Sequence, residues 1–329
     1  MNSFKLFEKV NEANFDEAGY LRANPDVLEA VRRGDFVTGR EHFDRYGKNE
    51  NRCVSVPGAS ILEAKRKKLQ RIRPLLRKDM PFTEKEDHLF DFMSEELRSA
   101  FGIIDTNAVS SNRYDDTVLD LINTNNDKLI LDCGAGWRLE YYDNVVNFEI
   151  VGYDTTDVLG VGEKLPFIDN AFDAVVSLSV LEHVKDPFQC AREITRVLKP
   201  GGTLICSVPF LQPFHAYPHH YYNMTSKGLE NLFSEQFDID SIEVPESVQP
   251  IWSLTWILRS WADGLAGKTK EDFLQMKVSE LLESGEKYYG APYVTELSKE
   301  KNLELASANV LIAHKKRVSR RNNITLTQI

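Results

Sequence analysis

Three apolar runs in the middle of the chain constrain its fold more than anything else in the sequence: KLIL at 128–131, the stretch from Val145 to Val151, and FDAVVSLSVL at 172–181. The third is too apolar and too β-branched for a strand with one face in water, and all three read as buried strands. Helical signals follow. Asp186-Pro187 marks a helix start, with Asp as cap and Pro in the first turn. Phe188, Ala191, Ile194 and Leu198 fall on one face of that helix, and Lys199-Pro200-Gly201-Gly202 ends it. Thr203 to Phe210 then predicts a strand, Thr225 to Phe233 a helix, Phe237 to Val244 a strand, and Ala308 to Ala313 a last strand. Strands alternating with helices predict an α/β domain with a parallel, doubly wound sheet.

Upstream of residue 112 the pattern is helical. In residues 14–52, Asn24-Pro25 opens a helix carrying Val27, Leu28 and Val31 that Gly34 stops, and Thr38 caps another that bears Phe43 and Tyr46 and closes at Gly47. About forty residues bury too little to stand alone, so this unit is expected to lean on another part. In residues 61–79, Lys65, Arg66, Lys67, Lys68, Arg71, Arg73, Arg77 and Lys78 face only Glu63 and Asp79. Such a run is either a solvated helix joining two domains, with Leu62, Leu69, Ile72 and Leu76 as its apolar stripe, or a contact for phosphate-bearing partners. Residues 80–110 read as a further helical stretch. Residues 250–306 read as a helical insertion, whose Trp252, Trp256 and Trp261 suit a core, a substrate cover or an oligomer interface. The expected organisation is a small helical module (1–52), a basic helical linker (53–111), an α/β domain (112–317) holding that insertion, and a basic tail (318–329).

With 50 acidic against 40 basic residues the net charge is −10, which speaks against indiscriminate nucleic-acid binding. Cys53, Cys133, Cys190 and Cys206 are widely spaced with no CxxC pair, so neither a zinc site nor a disulfide framework is expected. The amino terminus lacks the apolar core of a signal peptide, and no stretch approaches the ~20 apolar residues of a membrane span. A cytoplasmic location is the expectation.

Chemistry is expected at Asp132-Cys133-Gly134-Ala135-Gly136, directly after the first strand. Glycines there let the backbone bend sharply and admit a ligand without Cβ interference, at the carboxyl edge where doubly wound sheets bind ligands. Leu139 stands where a dinucleotide fingerprint has its third glycine, and no Gly-Lys-Ser/Thr follows as in a phosphate loop. Taken with GEKLPFIDNAFDAVVSLSVLEHVKDP and REITRVLKPGGTLICSVP, in that order, LILDCGAG resembles the motif run of class I S-adenosylmethionine-dependent methyltransferases, the type 11 branch in particular. The resemblance covers residues 112–245 and, through the last strand, extends to 317. It implies a mostly parallel, seven-stranded, Rossmann-like sheet and S-adenosyl-L-methionine as cofactor.

On that resemblance Asp132, Gly134, Ala135 and Gly136 hold the amino-acid end of the cofactor. Glu149, at the end of the second strand, accepts from the ribose hydroxyls, with Asp154 as the alternative. The stretch from Val161 to Phe167, with Glu163 and Leu165, lines the adenine; relatives frequently carry an acid where Val161 stands, which leaves Glu163 or main chain to make that contact. Ser179 to His183 face the methyl group and the acceptor.

Methyl transfer to oxygen requires alignment and the removal of a proton. His183, His219 and His220 are the candidate bases, with His215 beside them. Each has a structural alternative: His183 as a partner of the turn after its strand, the others as packing in an aromatic loop with Tyr217, Tyr221 and Tyr222, which equally suit stacking on an acceptor. No metal site is expected, because no Asp, Glu or Cys near these histidines completes a ligand set.

The expected function is O-methylation of a small molecule or glycan. Residues 210–233 resemble a segment of methyltransferases from bacterial glycan and secondary-metabolite pathways, and residues 15–52 resemble a module that accompanies bacterial glycan enzymes, which points to polysaccharide biosynthesis. The alternative is a non-catalytic interaction protein that binds the nucleoside cofactor. Neither a nucleic-acid nor a membrane partner is expected, and a homodimer is left open.

Overall fold

The computed structural model describes residues 3–55, 59–85, 88–104, 113–215 and 219–312. The chain divides into two compact units, with the division between Trp252 and Ser253. The first unit opens with β1 (Ser3–Lys5), β2 (Phe7–Lys9), α1 (Glu17–Ala23), α2 (Pro25–Arg33), α3 (Gly39–His42) and β3 (Cys53–Ser55), the last paired antiparallel with β2. Val10, Tyr20, Val27, Phe43 and Val54 form a small core among them. Thr38 caps α3 through its side chain and Gly34, at φ 83°, ends α2 in the left-handed conformation. Asn24 does not cap α2; its side-chain amide donates to the Tyr20 and Cys53 carbonyls.

Next come α4 (Ala59–Ile72), β4 (Thr83–Lys85), β5 (Leu89–Asp91), α5 (Glu95–Phe101), α6 (Asp116–Thr124), β6 (Ile130–Cys133), β7 (Glu140–Tyr142), β8 (Val145–Glu149), β9 (Val158–Leu159), β10 (Phe172–Leu178), α7 (Pro187–Val197), β11 (Leu198–Ser207) and α8 (Ser226–Phe233). One seven-stranded sheet runs β11-β10-β6-β8-β9-β5-β4, with every neighbouring pair parallel except β5 and β4. This is the Rossmann-like sheet expected. Its faces alternate residue by residue. Ile130, Val145, Ala174 and Val176 pack with Val118 and Ile122 of α6, whereas Leu131, Val146 and Val175 pack with Cys190, Ala191, Ile194 and Val197 of α7. Both alternating sets being apolar is what unbroken apolar runs encode. Each such Val, Leu or Ile side chain contributes about 1.5–3 kcal/mol on burial.

Several expectations are corrected. Residues 237–244 form no strand, with Ile239, Ile242 and Val244 exposed. Residues 308–312 form none either, Val310, Leu311 and Ile312 being exposed, and Ala313 lies outside the described residues. Three strands at one edge come instead from 158–159 and from the 80–110 stretch that read as helical, which supplies β4, β5 and α5. Phe188 points out of the α7 core face and is exposed. The helices α9 (Pro250–Asp263), α10 (Gly267–Gln275), α11 (Pro292–Thr295) and α12 (Lys299–Glu304) are thus not an insertion before a last strand. Ala262, Leu265 and Phe273 form a core in the second unit, where Trp261 donates to the Tyr293 carbonyl (2.7 Å); Trp252 and Trp256 are exposed. Among the described residues no helix is long and apolar enough to cross a membrane.

The basic helix α4 is not solvated all round. Lys65 and Lys68 are buried. Lys65 Nζ donates to the Asp154 and Thr156 carbonyls (3.0 and 2.7 Å), and Lys68 Nζ to Asp157 Oδ2 (2.9 Å) and the Val145 carbonyl (2.5 Å). Tyr141 places its ring 3.6 Å beneath that ammonium and donates its hydroxyl to Asp157 Oδ1. Burial lowers the Lys68 pKa to about 8 against the pull of Asp157. The helix's arginines are engaged as well, Arg66 with His88 and Arg71 with the Asp127, Lys128 and Asp143 carbonyls. β1, paired antiparallel with β7, carries the amino-terminal elements onto this same region.

A Lys68→Met variant leaves Asp157 buried without its cation and is expected to lose about 3–5 kcal/mol in urea unfolding. Adding Asp157→Leu recovers part of that loss. A double variant no more stable than the single one would show that charge pairing is not the source.

Candidate active site

β6 lies between β10 and β8, so the turn that follows it is flanked by the ends of both. Gly134 (φ 85°) and Gly136 (φ 63°) are left-handed, a conformation that costs other residues strain. At Gly134 there is also no room: an added Cβ would sit 2.4 Å from Val180 Cγ2. The amides of the bend are engaged within the protein. Gly134 N and Ala135 N both donate to the Phe148 carbonyl (2.9 and 3.0 Å), and Gly136 N donates to Glu149 Oε2 (2.7 Å). Asp132 is fully buried and accepts at Oδ2 from Arg138 Nε (3.0 Å), Arg138 Nη2 (2.6 Å) and the Tyr114 hydroxyl. Its Oδ1 has no hydrogen-bond partner among the described residues.

Glu149 ends β8 beside the bend, buried, with Oε1 accepting from Ile150 N (2.7 Å). Burial raises its pKa, and the Gly136 and Ile150 amides work against the rise. Each carboxylate oxygen has two lone pairs, so acceptor capacity is left over. Asp154 is exposed. Of the two acids, Glu149 is the one beside the glycines.

Glu163 and Leu165 have structural work. Glu163 is buried and its Oε1 accepts from Lys185 N (3.0 Å) and Asp186 N (3.4 Å), which ties its turn to the start of α7; burial raises its pKa. Leu165 is wholly buried in the main core and its amide donates to Glu193. Val161 is buried too.

The end of β10 gathers the histidines. Ser179 is held at φ 54°, a strained value for a residue with a Cβ. His183, His215 and His220 form a ring cluster, with centroids 5.1 Å (His183–His215), 5.8 Å (His183–His220) and 4.2 Å (His215–His220) apart. His219 lies elsewhere, against Tyr221, its Nε2 donating to the Gly102 carbonyl (3.0 Å). His220 uses both nitrogens: Nδ1 accepts from His215 N and Nε2 donates to Asn223 Oδ1. Tyr221 and Tyr222 are exposed, and Tyr217 lies outside the described residues.

His183 Nδ1 meets the His219 carbonyl at 2.6 Å. A carbonyl only accepts, so Nδ1 carries the hydrogen and Nε2 the lone pair. Desolvation chiefly lowers the His183 pKa to about 4. Its neighbour Glu182, fully buried, has neither carboxyl oxygen hydrogen-bonded among the described residues, and burial raises its pKa from 4.5 to about 8. Glu182, His183 and His215 place one ligand-type atom each within 4.8 Å of one another. Glu182 fell within the Ser179–His183 stretch expected at the acceptor but was not singled out, and the Asp132 partners Arg138 and Tyr114 were not candidates. The available signal for Glu182 was a lone charge directly after a buried apolar run.

Residues 131–206 match the family model of a methyltransferase domain. Over that stretch the chain is similar to a methyltransferase domain. Among its relatives, an uncharacterised methyltransferase of Schizosaccharomyces pombe is 44% identical over 19% of this chain and 23% of its own length. A tRNA U34 carboxymethyltransferase of Desulfotalea psychrophila is 36% identical over 26% of this chain and 25% of its own. The chain thus spans about a quarter of the length of these curated relatives. The solved YcgJ protein of Bacillus subtilis is 17% identical, with a TM-score of 0.31 over 47% of this chain and 86% of its own. S-adenosylmethionine is the cofactor a methyltransferase domain of this class takes. The residues around the bend fit it: an unpartnered buried Asp132 Oδ1, glycines without Cβ, and a Glu149 carboxylate with lone pairs to spare.

The buried Glu182 implies a measurable cost. Between about pH 4.5 and 8 the folded state holds its proton and the unfolded state does not, so stability falls as pH rises through that window. In chelator-treated protein, Glu182→Gln is expected to raise the melting temperature at pH 7.5 and to leave it unchanged below pH 4.5. A variant equally or less stable at pH 7.5 would contradict the burial cost.

Proposed function

We propose that the protein transfers the methyl group of S-adenosylmethionine to an oxygen of a small-molecule or glycan acceptor. The observation that carries this reading is the adjacency of Glu149, the glycine bend and the Ser179–His183 turn, with Val180 in contact range of Gly134. When bound, the cofactor supplies an already electrophilic methyl group, so the chain's work is orientation and proton handling. Glu149 takes the ribose hydroxyls with the lone pairs its two amide donors leave, and Asp132 Oδ1 accepts at the amino-acid end. Glu163 and Leu165 act on the adenine side by holding the 162–165 turn against α7. His183 is the better placed of the three proposed bases. Its Nε2 lone pair is fixed by the Nδ1 bond to His219, whereas His220 has both nitrogens engaged and His219 is bound to Gly102. The resemblance of residues 15–52 to a module beside glycan enzymes supports a polysaccharide precursor as acceptor, methylated in the cytoplasm.

Calorimetry is expected to show S-adenosylmethionine binding at one equivalent, weakened tenfold or more by Glu149→Gln, a loss of about 1.4 kcal/mol. No binding to the unaltered protein at millimolar ligand overturns the reading. With labelled methyl donor, label is expected in glycan or small-molecule fractions as methyl ethers; label in protein or RNA alone counts against the acceptor class. A second reading, a nucleoside-binding protein without turnover, is favoured by the bend amides and Asp132 Oδ2 being already engaged. Binding without transfer to any fraction would select it.

A further inference from the structure

We propose that Glu182, His183 and His215 bind a divalent transition-metal cation of the zinc class, in a site that keeps an open position for an oxygen ligand. Three observations converge on it. First, one donor atom from each residue lies within 4.8 Å of the other two, and no other such trio of His, Cys, Asp or Glu occurs among the described residues. An ion about 2.0–2.2 Å from each donor draws such pairs to ~3.4 Å, so small side-chain rotations close the set. His183 Nε2 and Glu182 Oε1 already stand 3.8 Å apart.

Second, Glu182 is fully buried and both of its carboxyl oxygens lack a hydrogen bond among the described residues. A buried acid without partners is costly, and native chains keep one where a ligand completes it. No Lys or Arg is paired with it among the described salt bridges, so a cation that displaces its proton would complete it.

Third, both imidazoles are oriented as metal ligands are. His183 Nδ1 donates to the His219 carbonyl (2.6 Å) and His215 Nδ1 to the Pro213 carbonyl (2.9 Å). Each bond fixes the tautomer that puts the lone pair on Nε2, the arrangement by which outer partners set a ligating histidine. His220 holds the loop in place by accepting from His215 N (3.1 Å) and donating to Asn223 (2.8 Å).

The donor set decides the class of ion. Two imidazoles and one carboxylate suit zinc, iron(II), cobalt or nickel, whereas magnesium and calcium favour oxygen-rich shells. Three protein ligands instead of four are the pattern of sites that keep a place for water or substrate. The consequence for catalysis rests on the methyl-transfer reading: with a cation in place, His183 acts through it and not as the base, and an acceptor hydroxyl on the ion is acidified.

The test is metal binding measured without cofactor, so that it stands or falls separately from S-adenosylmethionine binding. Chelator-stripped full-length protein titrated with zinc chloride is expected to take up one equivalent, and cobalt(II) to give visible absorption of a low-coordinate nitrogen and oxygen site. Glu182→Gln, His183→Ala and His215→Ala are each expected to weaken zinc at least tenfold and abolish the cobalt band, with His88→Ala unchanged. Circular dichroism checks that each variant folds; if Glu182→Gln does not, the two histidine variants decide. No stoichiometric zinc uptake, or uptake indifferent to the histidine variants, overturns the site.

Discussion

One buried carboxylate ties a helix and two strands of the first unit together. Asp157 has no exposure to water, and such a charge is tolerated only where cations and donors meet it from several sides. It takes the Lys68 ammonium from α4, the Tyr141 hydroxyl from β7 and the Asn147 amide from β8. Through these bonds the loop between β8 and β9 is pinned, and β8 is held in register beside β6. Glu149 ends that strand, so its position next to Gly136 depends on a charge pair between α4 and the loop before β9.

The two sides of the candidate site differ in how far the protein satisfies its own polar groups. Around the glycine bend nearly every donor is used internally: Phe148 and Glu149 take three consecutive amides, and Arg138 neutralises Asp132. At the end of β10 the reverse holds. Ser179 is strained, the buried Glu182 carboxyl has no hydrogen bond among the described residues, and His183 is held neutral by desolvation. Folded chains keep such unfavourable local arrangements mainly where a ligand relieves them. The acceptor side is therefore where the structure stores its departures from self-sufficiency.

Local grammar was readable where one physical signal dominated. The largely apolar runs announced β6, β8 and β10, because burial on both faces leaves little polar alternation to misread. Asp186-Pro187 and Gly34 announced helix ends through cap chemistry. What could not be read was long-range pairing. Residues 237–244 and 308–313 have strand-like composition, yet the sheet is completed by β9, β5 and β4 from elsewhere in the chain. Lys65 and Lys68 read as solvated because charge predicts exposure, and only the fold reveals the carbonyls and carboxylate that compensate them. The place of Glu149 beside the glycines followed from motif order, whereas the isolation of Glu182 needed coordinates, since missing hydrogen bonds show only in three dimensions.

The edge pairing has a consequence for how the chain assembles. Phe90 pairs with Val158, and the antiparallel Thr83–Lys85 strand pairs only with the one that holds Phe90. That contact closes a loop of roughly seventy residues, an entropic cost that high contact order converts into slow formation. As synthesis proceeds from the amino end, β5 must wait unpaired until the centre of the sheet exists to receive it. The acidic and basic side chains of the TEK segment in β4, all exposed, give that waiting edge a surface unfavourable to a neighbouring chain.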